Sequence, residues 1–251
     1  MSVVTVTTKD AIRVLTLNRP DKRNALNDEL ISELKRTLRE AETETEVRAV
    51  VIRGAGKDFC SGADLSSIQK IANASYEENV EDARQLAQLF ELIRQVRVPV
   101  IAAVHGRALA GGCGLATACD LVVATRSARF GYPEVKIGFV PAMVAAILRR
   151  NLGEKKSFEL LTQGFEYSAE DALSLGLVNV LFDDEGFDDA ALEYAFVYTK
   201  VSGSAVAMTK RLLYDIDADR YPDAITKGVE TNARARMTED CKRGIAKFLE
   251  K

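Results

Sequence analysis

One phrase recurs along the first half of this chain: a short run of β-branched or apolar residues, then a loop that carries glycine or proline, then a helix. Strands that alternate with helices in this way select an α/β architecture. The opening segment alternates, with Val4 and Val6 before a Lys9-Asp10 turn and Ile12 and Val14 after it, which predicts a hairpin with one buried face. Leu15 and Leu17 make the far end of the second strand apolar on its other face too. A turn-rich basic loop over 17–27 follows, and Leu30, Ile31, Leu34 and Leu38 then recur at helical spacing behind an Asn27 cap.

The next phrase begins with Ala49-Val50-Val51-Ile52, a strand ending in Gly54-Ala55-Gly56. A polar stretch over 66–81 precedes a helix with Leu86, Leu89, Phe90 and Ile93 on one face, and Pro99 opens a strand over 100–104. From Gly106 a glycine turn feeds a helix of small residues running toward Asp120, whose short side chains let it lie deep against the sheet. Residues 121–124 and a segment ending at Phe130-Gly131-Tyr132-Pro133-Glu134 predict further strands, and helical spacing dominates from Pro141 to the end. No fixed-period repeat is present.

With 251 residues, 47% of them hydrophobic and 28% charged, the chain can bury a substantial core and should fold throughout. No Pro-, Gly- or Ser-rich linker divides it, so the expectation is a core over 1–191 with a helical appendage over 192–251 that serves assembly. A net charge of −3 gives no positive field to gather nucleic acid or anionic lipid, so neither is expected as a partner. Residues 1–10 carry no basic patch ahead of an apolar run, and the longest apolar run, 98–104, is far short of a membrane span. Cys60, Cys113, Cys119 and Cys241 have no C-x-x-C spacing. Together these features predict a cytoplasmic protein in a reducing compartment.

Two glycine-bearing loops, Gly62-Ala63-Asp64 and Gly111-Gly112, lead toward helix amino termini, where backbone N–H groups lack intrahelical partners. Small residues there fit an oxyanion hole, which an acyl oxygen must approach closely, and fit tight helix packing equally well. His105, the only histidine, precludes a two-histidine metal site and reads as structural, while Cys60 and Cys113 lack an activating histidine nearby in sequence. Neither G-x-G-x-x-G spacing nor a phosphate-binding Gly-x4-Gly-Lys-Ser/Thr loop occurs, which argues against nicotinamide cofactors and nucleoside triphosphate hydrolysis. No metal is expected.

Asn18-Arg19-Pro20, Asn24-Ala25-Leu26, Phe59-Cys60-Ser61-Gly62-Ala63-Asp64, Gly111-Gly112-Cys113 through Cys119-Asp120, and Phe130-Gly131-Tyr132-Pro133-Glu134 resemble, in order and spacing, the successive signatures of the enoyl-CoA hydratase/isomerase (crotonase) superfamily. The likeness spans nearly the whole chain. It implies a crotonase-like spiral of ββα units with a C-terminal helical oligomerisation region, assembled as a homotrimer or a dimer of trimers. It implies no tightly bound cofactor, coenzyme A arriving as part of the acyl-CoA substrate. The thioester oxygen would meet the amides of Ala63 and Gly111, and CoA would lie against Lys22, Asn24, Ala25, Ser61, Gly62, Ala63, Asp64, Leu65 and Gly111, with Phe248 and Lys251 reaching a neighbouring subunit's CoA.

The chain departs from the two-glutamate hydratases it resembles. Glu134 matches their second carboxylate, but the first falls at Gly114, which cannot exchange a proton. A single carboxylate suits a 1,3-proton shift, one base removing a proton at C2 and returning it at C4. Isomerisation of 3-enoyl-CoA to 2-enoyl-CoA is therefore the favoured expectation, with Glu134 as acid/base. The rivals are hydration with a substitute acid, drawn from Glu77, Glu78, Glu81 and Asp82 or from a bound water, and a silent CoA-binding or assembly subunit. Gly138-Phe139-Val140-Pro141-Ala142-Met143-Val144 also departs from relatives that keep a glycine-rich turn after the proline, which reshapes the acyl pocket.

Overall fold

Alternating strands and helices with short connections wind into a spiral, and a computed structural model describes it over residues 2–249. In chain order the strands are β1 (Val4–Lys9), β2 (Ile12–Leu17), β3 (Ala49–Gly54), β4 (Val100–Val104), β5 (Arg107–Leu109), β6 (Leu121–Thr125), β7 (Arg129–Gly131), β8 (Glu166–Ser168) and β9 (Val180–Phe182). The helices are α1 (Asp28–Thr43), α2 (Leu65–Asn73), α3 (Tyr76–Gln95), α4 (Gly111–Ala118), α5 (Ala142–Asn151), α6 (Glu154–Gln163), α7 (Ala169–Ser174), α8 (Phe187–Phe196), α9 (Gly203–Asp215), α10 (Tyr221–Arg236) and α11 (Glu239–Leu249).

Each turn gives one strand to a main sheet and one short segment to a second layer. The main sheet has the order β1-β2-β3-β4-β6-β9, antiparallel only between β1 and β2. The second layer is a ladder in which Leu26 pairs with Ala63, Cys60 with Ala108, Ala108 with Phe130 and Phe130 with Tyr167. Its named strands are β5, β7 and β8.

The main sheet is buried on both faces, which is why β3, β4 and β6 read as continuous apolar runs rather than alternating ones. Val50, Ile52, Val100, Ala102 and Val104 face a large core shared with α1, α3 and α4. Ile12, Val14, Val51, Ile101 and Val123 face a smaller one closed by Phe187, Ala191 and Ala195 of α8. Leu192 lies within α8, so the last helix laid on the sheet runs through the expected start of the appendage.

Several local expectations are corrected. The hairpin turns at Asp10 and Ala11, both left-handed, rather than at Lys9-Asp10, and Val6 is exposed because β1 is an edge strand. The polar stretch is itself helical: it forms α2 and the first turns of α3, where Ser75 and Glu78 make a reciprocal capping box. The region after Pro141 contains β8 and β9, three residues each, too short for any periodicity to announce them. The Asn27 cap is as expected, its side chain accepting from the Leu30 N–H at 3.0 Å.

The helical tail is anchored by a buried charge. Lys210 of α9 reaches between α3 and β4, where its Nζ donates to Ile93 O at 2.8 Å, Val98 O at 2.9 Å and Asp120 Oδ2 at 2.7 Å. Tyr214, one turn on, donates to Asp120 Oδ1 at 2.6 Å.

Candidate active site

The loop before α1 is built around Asn24, which is fully buried in a left-handed conformation (φ 55°). Its amide donates to Ala55 O at 2.9 Å and Asp58 O at 2.8 Å, and its Oδ1 accepts from the Arg19 N–H at 2.9 Å. The Asn24 side chain is thus occupied within the protein and shapes the loop. Arg19 extends the clasp: its guanidinium donates to Ala25 O and, at 2.6 Å, to Asp64 Oδ2. Asp64 also accepts from the Ser66 N–H at 3.0 Å, and that bond, followed by the Arg19 contact, draws its pKa down to about 2. Lys22 stands exposed at the end of a short 3₁₀ turn, and Ala25 is buried beside Asn24.

This clasp fixes a single parallel bridge. Leu26 N–H donates to Gly62 O at 2.7 Å and Asp64 N–H donates to Leu26 O at 2.8 Å. A parallel bridge of this kind uses the groups flanking its central residue, so the N–H of Ala63 itself faces the other way. Ser61 adds a second tie through its N–H to Arg23 O at 3.0 Å. Leu65 opens α2; its side chain lies outside the description.

Gly111 is the first residue of α4, preceded by Ala110 at φ 50° and ψ −128°. That conformation is costly for alanine, about 1–3 kcal/mol. It is held by the Ala110 N–H donating to Gly131 O at 2.8 Å and the Leu109 N–H donating to Cys60 O at 3.0 Å. Gly62, at φ 95°, packs directly against it: a Cβ there would stand 2.8 Å from Ala110 Cβ and 3.7 Å from Gly111 N. Among the described residues neither the Ala63 nor the Gly111 N–H has an acceptor. Leu26 lines both, bridged to Ala63 and 3.2 Å from where a Cβ on Gly111 would sit.

Glu134 lies in a 3₁₀ turn, Pro133–Ile137, behind the buried Tyr132, whose OH meets Thr117 Oγ1 of α4 at 3.2 Å. The Glu134 side chain is half-buried and its Oε2 is inaccessible and without a hydrogen-bond partner. Burial raises its pKa above the ordinary carboxylate value. Its charge reaches Cys113, on α4 beside Gly114.

Gly114 falls one turn after Gly111 on the same helix face. A Cβ there would stand 2.8 Å from Val144 Cγ2 and 3.1 Å from Phe90 Cζ. The place of a first carboxylate is thus closed by apolar side chains from α3 and α5. The sequence signalled Phe90 only as a helix-face residue and Val144 only as the end of the departing segment after Gly138; that both approach Gly114 is a long-range feature of the fold.

The remaining candidates sort by environment. Cys60 and Cys113 are buried, and burial pushes their thiols up to about 12 and about 11, so neither is a nucleophile. His105 Nε2 bonds Gly56 O at 2.9 Å in an open cavity of about 860 Å³ at the carboxyl ends of the main strands, which Ala63, Gly111 and Glu134 do not line. Glu78 is used by its capping box and Glu81 by Arg84 and Gln85. Asp82 is partly buried, and burial together with Asp28 raises its pKa. Phe248 falls within α11 with its side chain outside the description, and Lys251 lies outside the described residues. No group of three or more His, Cys, Asp or Glu among the described residues is arranged to hold a metal. None of the described helices is long and apolar enough to cross a membrane.

Fold and site together define a class of protein: a two-layer α/β spiral in which two loops bordering the second layer carry peptide N–H groups without acceptors and a 3₁₀ turn carries a half-buried carboxylate. The family model for enoyl-CoA hydratase/isomerase matches residues 7–251. A Thermus thermophilus protein that bears the provisional name enoyl-CoA hydratase is 40% identical over 243 residues, covering 97% of this chain and 96% of that one. The 2,3-dehydroadipyl-CoA hydratase of Escherichia coli is 33% identical over 252 residues, covering 100% and 97%. The crystal structure of an enoyl-CoA hydratase from Mycobacterium smegmatis superposes with a TM-score of 0.94 at 34% identity, covering 99% and 96%. The chain belongs to the enoyl-CoA hydratase/isomerase family and has the crotonase fold; it is an acyl-CoA enzyme.

Proposed function

We propose that this enzyme isomerises 3-enoyl-CoA to 2-enoyl-CoA through a thioester enolate, with Glu134 as the single acid/base. The observation that carries the reading is the Glu134 carboxylate, half-buried with one oxygen unpartnered, in a chain whose Gly114 offers no second acid. A buried carboxylate with a raised pKa is a stronger base toward a carbon acid than an exposed one. The Ala63 and Gly111 N–H groups, free of acceptors, are the donors for the thioester oxygen, and one such donor is typically worth about 3 kcal/mol in the transition state. The C2–H bond breaks toward Glu134, its electron pair enters the enolate, the double bond moves to C2–C3, and the same proton forms the C4–H bond.

Coenzyme A is bound as part of the substrate, with no resident cofactor. On this reading the exposed Lys22 meets a CoA phosphate and Ser61, Gly62, Ala63, Asp64 and Leu65 border the thioester, while Asn24 and Ala25 hold the loop in shape. Phe248 and Lys251 are proposed to act across a subunit boundary in a trimer or dimer of trimers.

Incubating the enzyme with 3-enoyl-CoA and with 2-enoyl-CoA tests this directly, since isomerisation creates conjugation and hydration removes it. Glu134→Gln should lower kcat by at least about 10²-fold while leaving CoA affinity intact. A fully active Glu134→Gln enzyme would overturn the reading.

A second reading is hydration with Asp82 as the substitute acid. It is favoured by one feature: Asp82, Leu86 and Phe90 share a face of α3 at four-residue intervals, and Leu86 lies 3.8 Å from the Cβ position of Gly111. Loss of a hydration activity in Asp82→Asn, with isomerisation absent from the native enzyme, would select it.

A further inference from the structure

Gly114 is covered, not vacant. Phe90 and Val144, from two different helices, supply the three atoms nearest to a Cβ on Gly114, all of them carbon. Phe90 has a second surface. It also lines a cavity of about 450 Å³ together with Thr117, Met143 and Ile147, whose rim carries Arg94 and Arg150. Phe90 thus stands both against Gly114 of α4 and on the wall of a cavity that Arg94 and Arg150 also line.

This wall is braced from behind. Arg94, one turn beyond Phe90 on α3, and Arg150, near the end of α5, both bind the carboxylate of Asp217, the latter at 2.5 Å. Arg94 is also stacked on the Tyr214 ring, 4.1 Å from its centroid. One acidic residue from the tail thus ties together the two helices that supply Phe90 and Val144.

We propose that Phe90 and Val144 are specificity-determining residues: an apolar plug that keeps cavity water from the enolate, so that the proton on Glu134 returns to the substrate and no water adds at C3. Asp217 ties α3 to α5 behind these two residues. The inference rests on the isomerase reading and adds to it a reason for the outcome. Hydration would require a water whose oxygen bonds C3 while a proton enters C2, and the plug denies that water a route. Proton return would otherwise compete with exchange, because a carboxylic acid in contact with water loses its label rapidly.

The test is isomerisation of 3-enoyl-CoA in deuterium oxide, with products weighed by mass spectrometry, for the native enzyme, Phe90→Ala, Val144→Ala and the conservative Phe90→Leu. Folding of each is followed by circular dichroism. The native enzyme should give 2-enoyl-CoA holding well under one deuterium at C4 and no 3-hydroxyacyl-CoA. Phe90→Ala and Val144→Ala should raise deuterium content several-fold and yield 3-hydroxyacyl-CoA, while Phe90→Leu behaves as the native enzyme. Should Phe90→Ala fail to fold, Val144→Ala carries the comparison. A native enzyme that isomerises with full deuterium uptake, or plug variants that match it in deuterium and hydration, overturns the plug and leaves the isomerase reading standing. A native enzyme that hydrates 2-enoyl-CoA without isomerising overturns both.

Discussion

Glu134 and Asp64 are two candidate-site carboxylates whose surroundings move them in opposite directions. Burial raises the Glu134 pKa, so its neutral form is the one the fold favours. Stability from that group is fully present below the unfolded value and is lost as pH rises through the raised folded value. Turnover needs the opposite form, so kcat/KM should climb with pH through an inflection above the ordinary carboxylate range. Glu134→Gln should abolish that profile and, by thermal melting near neutral pH, be at least as stable as the native enzyme. Asp64, held by the Ser66 N–H and Arg19, contributes stability above the ordinary carboxylate range that is lost as pH falls toward about 2. Asp64→Asn should be destabilised near neutral pH, with the deficit vanishing in acid; a constant deficit would mean that the clasp acts through packing alone. Motif order singles out Glu134 and Gly114 in the sequence as a candidate acid and the place where a second acid is absent. The strained Ala110 was not legible, since nothing in an alanine announces a positive φ. The approach of Phe90 and Val144 to Gly114 was not legible either, because the two residues lie far apart in sequence.

Elements that bury one clear face were readable, and those defined by their partners were not. Leu30, Ile31, Leu34 and Leu38 announce α1 by spacing, and Ala49-Val50-Val51-Ile52 announces β3 as a run buried on both sides. β8 and β9 exist because β7 and β6 offer them edges, which no local pattern encodes. The polar first turns of α3 are helical because the Ser75 capping box starts them, a signal present in the sequence as Ser followed three residues later by Glu. The docking of α9 depends on the Lys210 and Asp120 pair, both nearly inaccessible, with side-chain exposures of 7% and 13%. Removing one partner leaves a buried charge uncompensated, so Lys210→Met should cost about 3–5 kcal/mol in urea denaturation. Lys210→Met with Asp120→Asn should recover part of that loss; equal losses in the single and double variants would show that the backbone carbonyls of Ile93 and Val98, not Asp120, dominate the site.

At the scale of the whole molecule the question is what covers the tail. Tyr221, Ile225 and Val229 recur at four-residue intervals along α10, and all three are exposed; none of the described α10 residues is buried. An apolar stripe of this kind on a single chain marks an interface or a liability to aggregation. The net charge of −3 is too small to keep such surfaces apart by repulsion. The trimer or dimer of trimers that the family resemblance implies would bury the stripe. Light scattering should then return three or six times the 27.5 kDa of one chain. Ile225→Asp with Val229→Asp places two unpaired charges in that interface and should release smaller species. Those species should keep the native circular dichroism spectrum, because the Lys210 anchor of α9 to the core does not involve α10. If Phe248 and Lys251 act across the subunit boundary, dissociation should also raise KM for acyl-CoA, while the product should stay free of 3-hydroxyacyl-CoA if Phe90 and Val144 exclude water within one chain as proposed. A native enzyme that runs as a monomer at micromolar concentration would remove the assembly from the account and leave the stripe for some other partner.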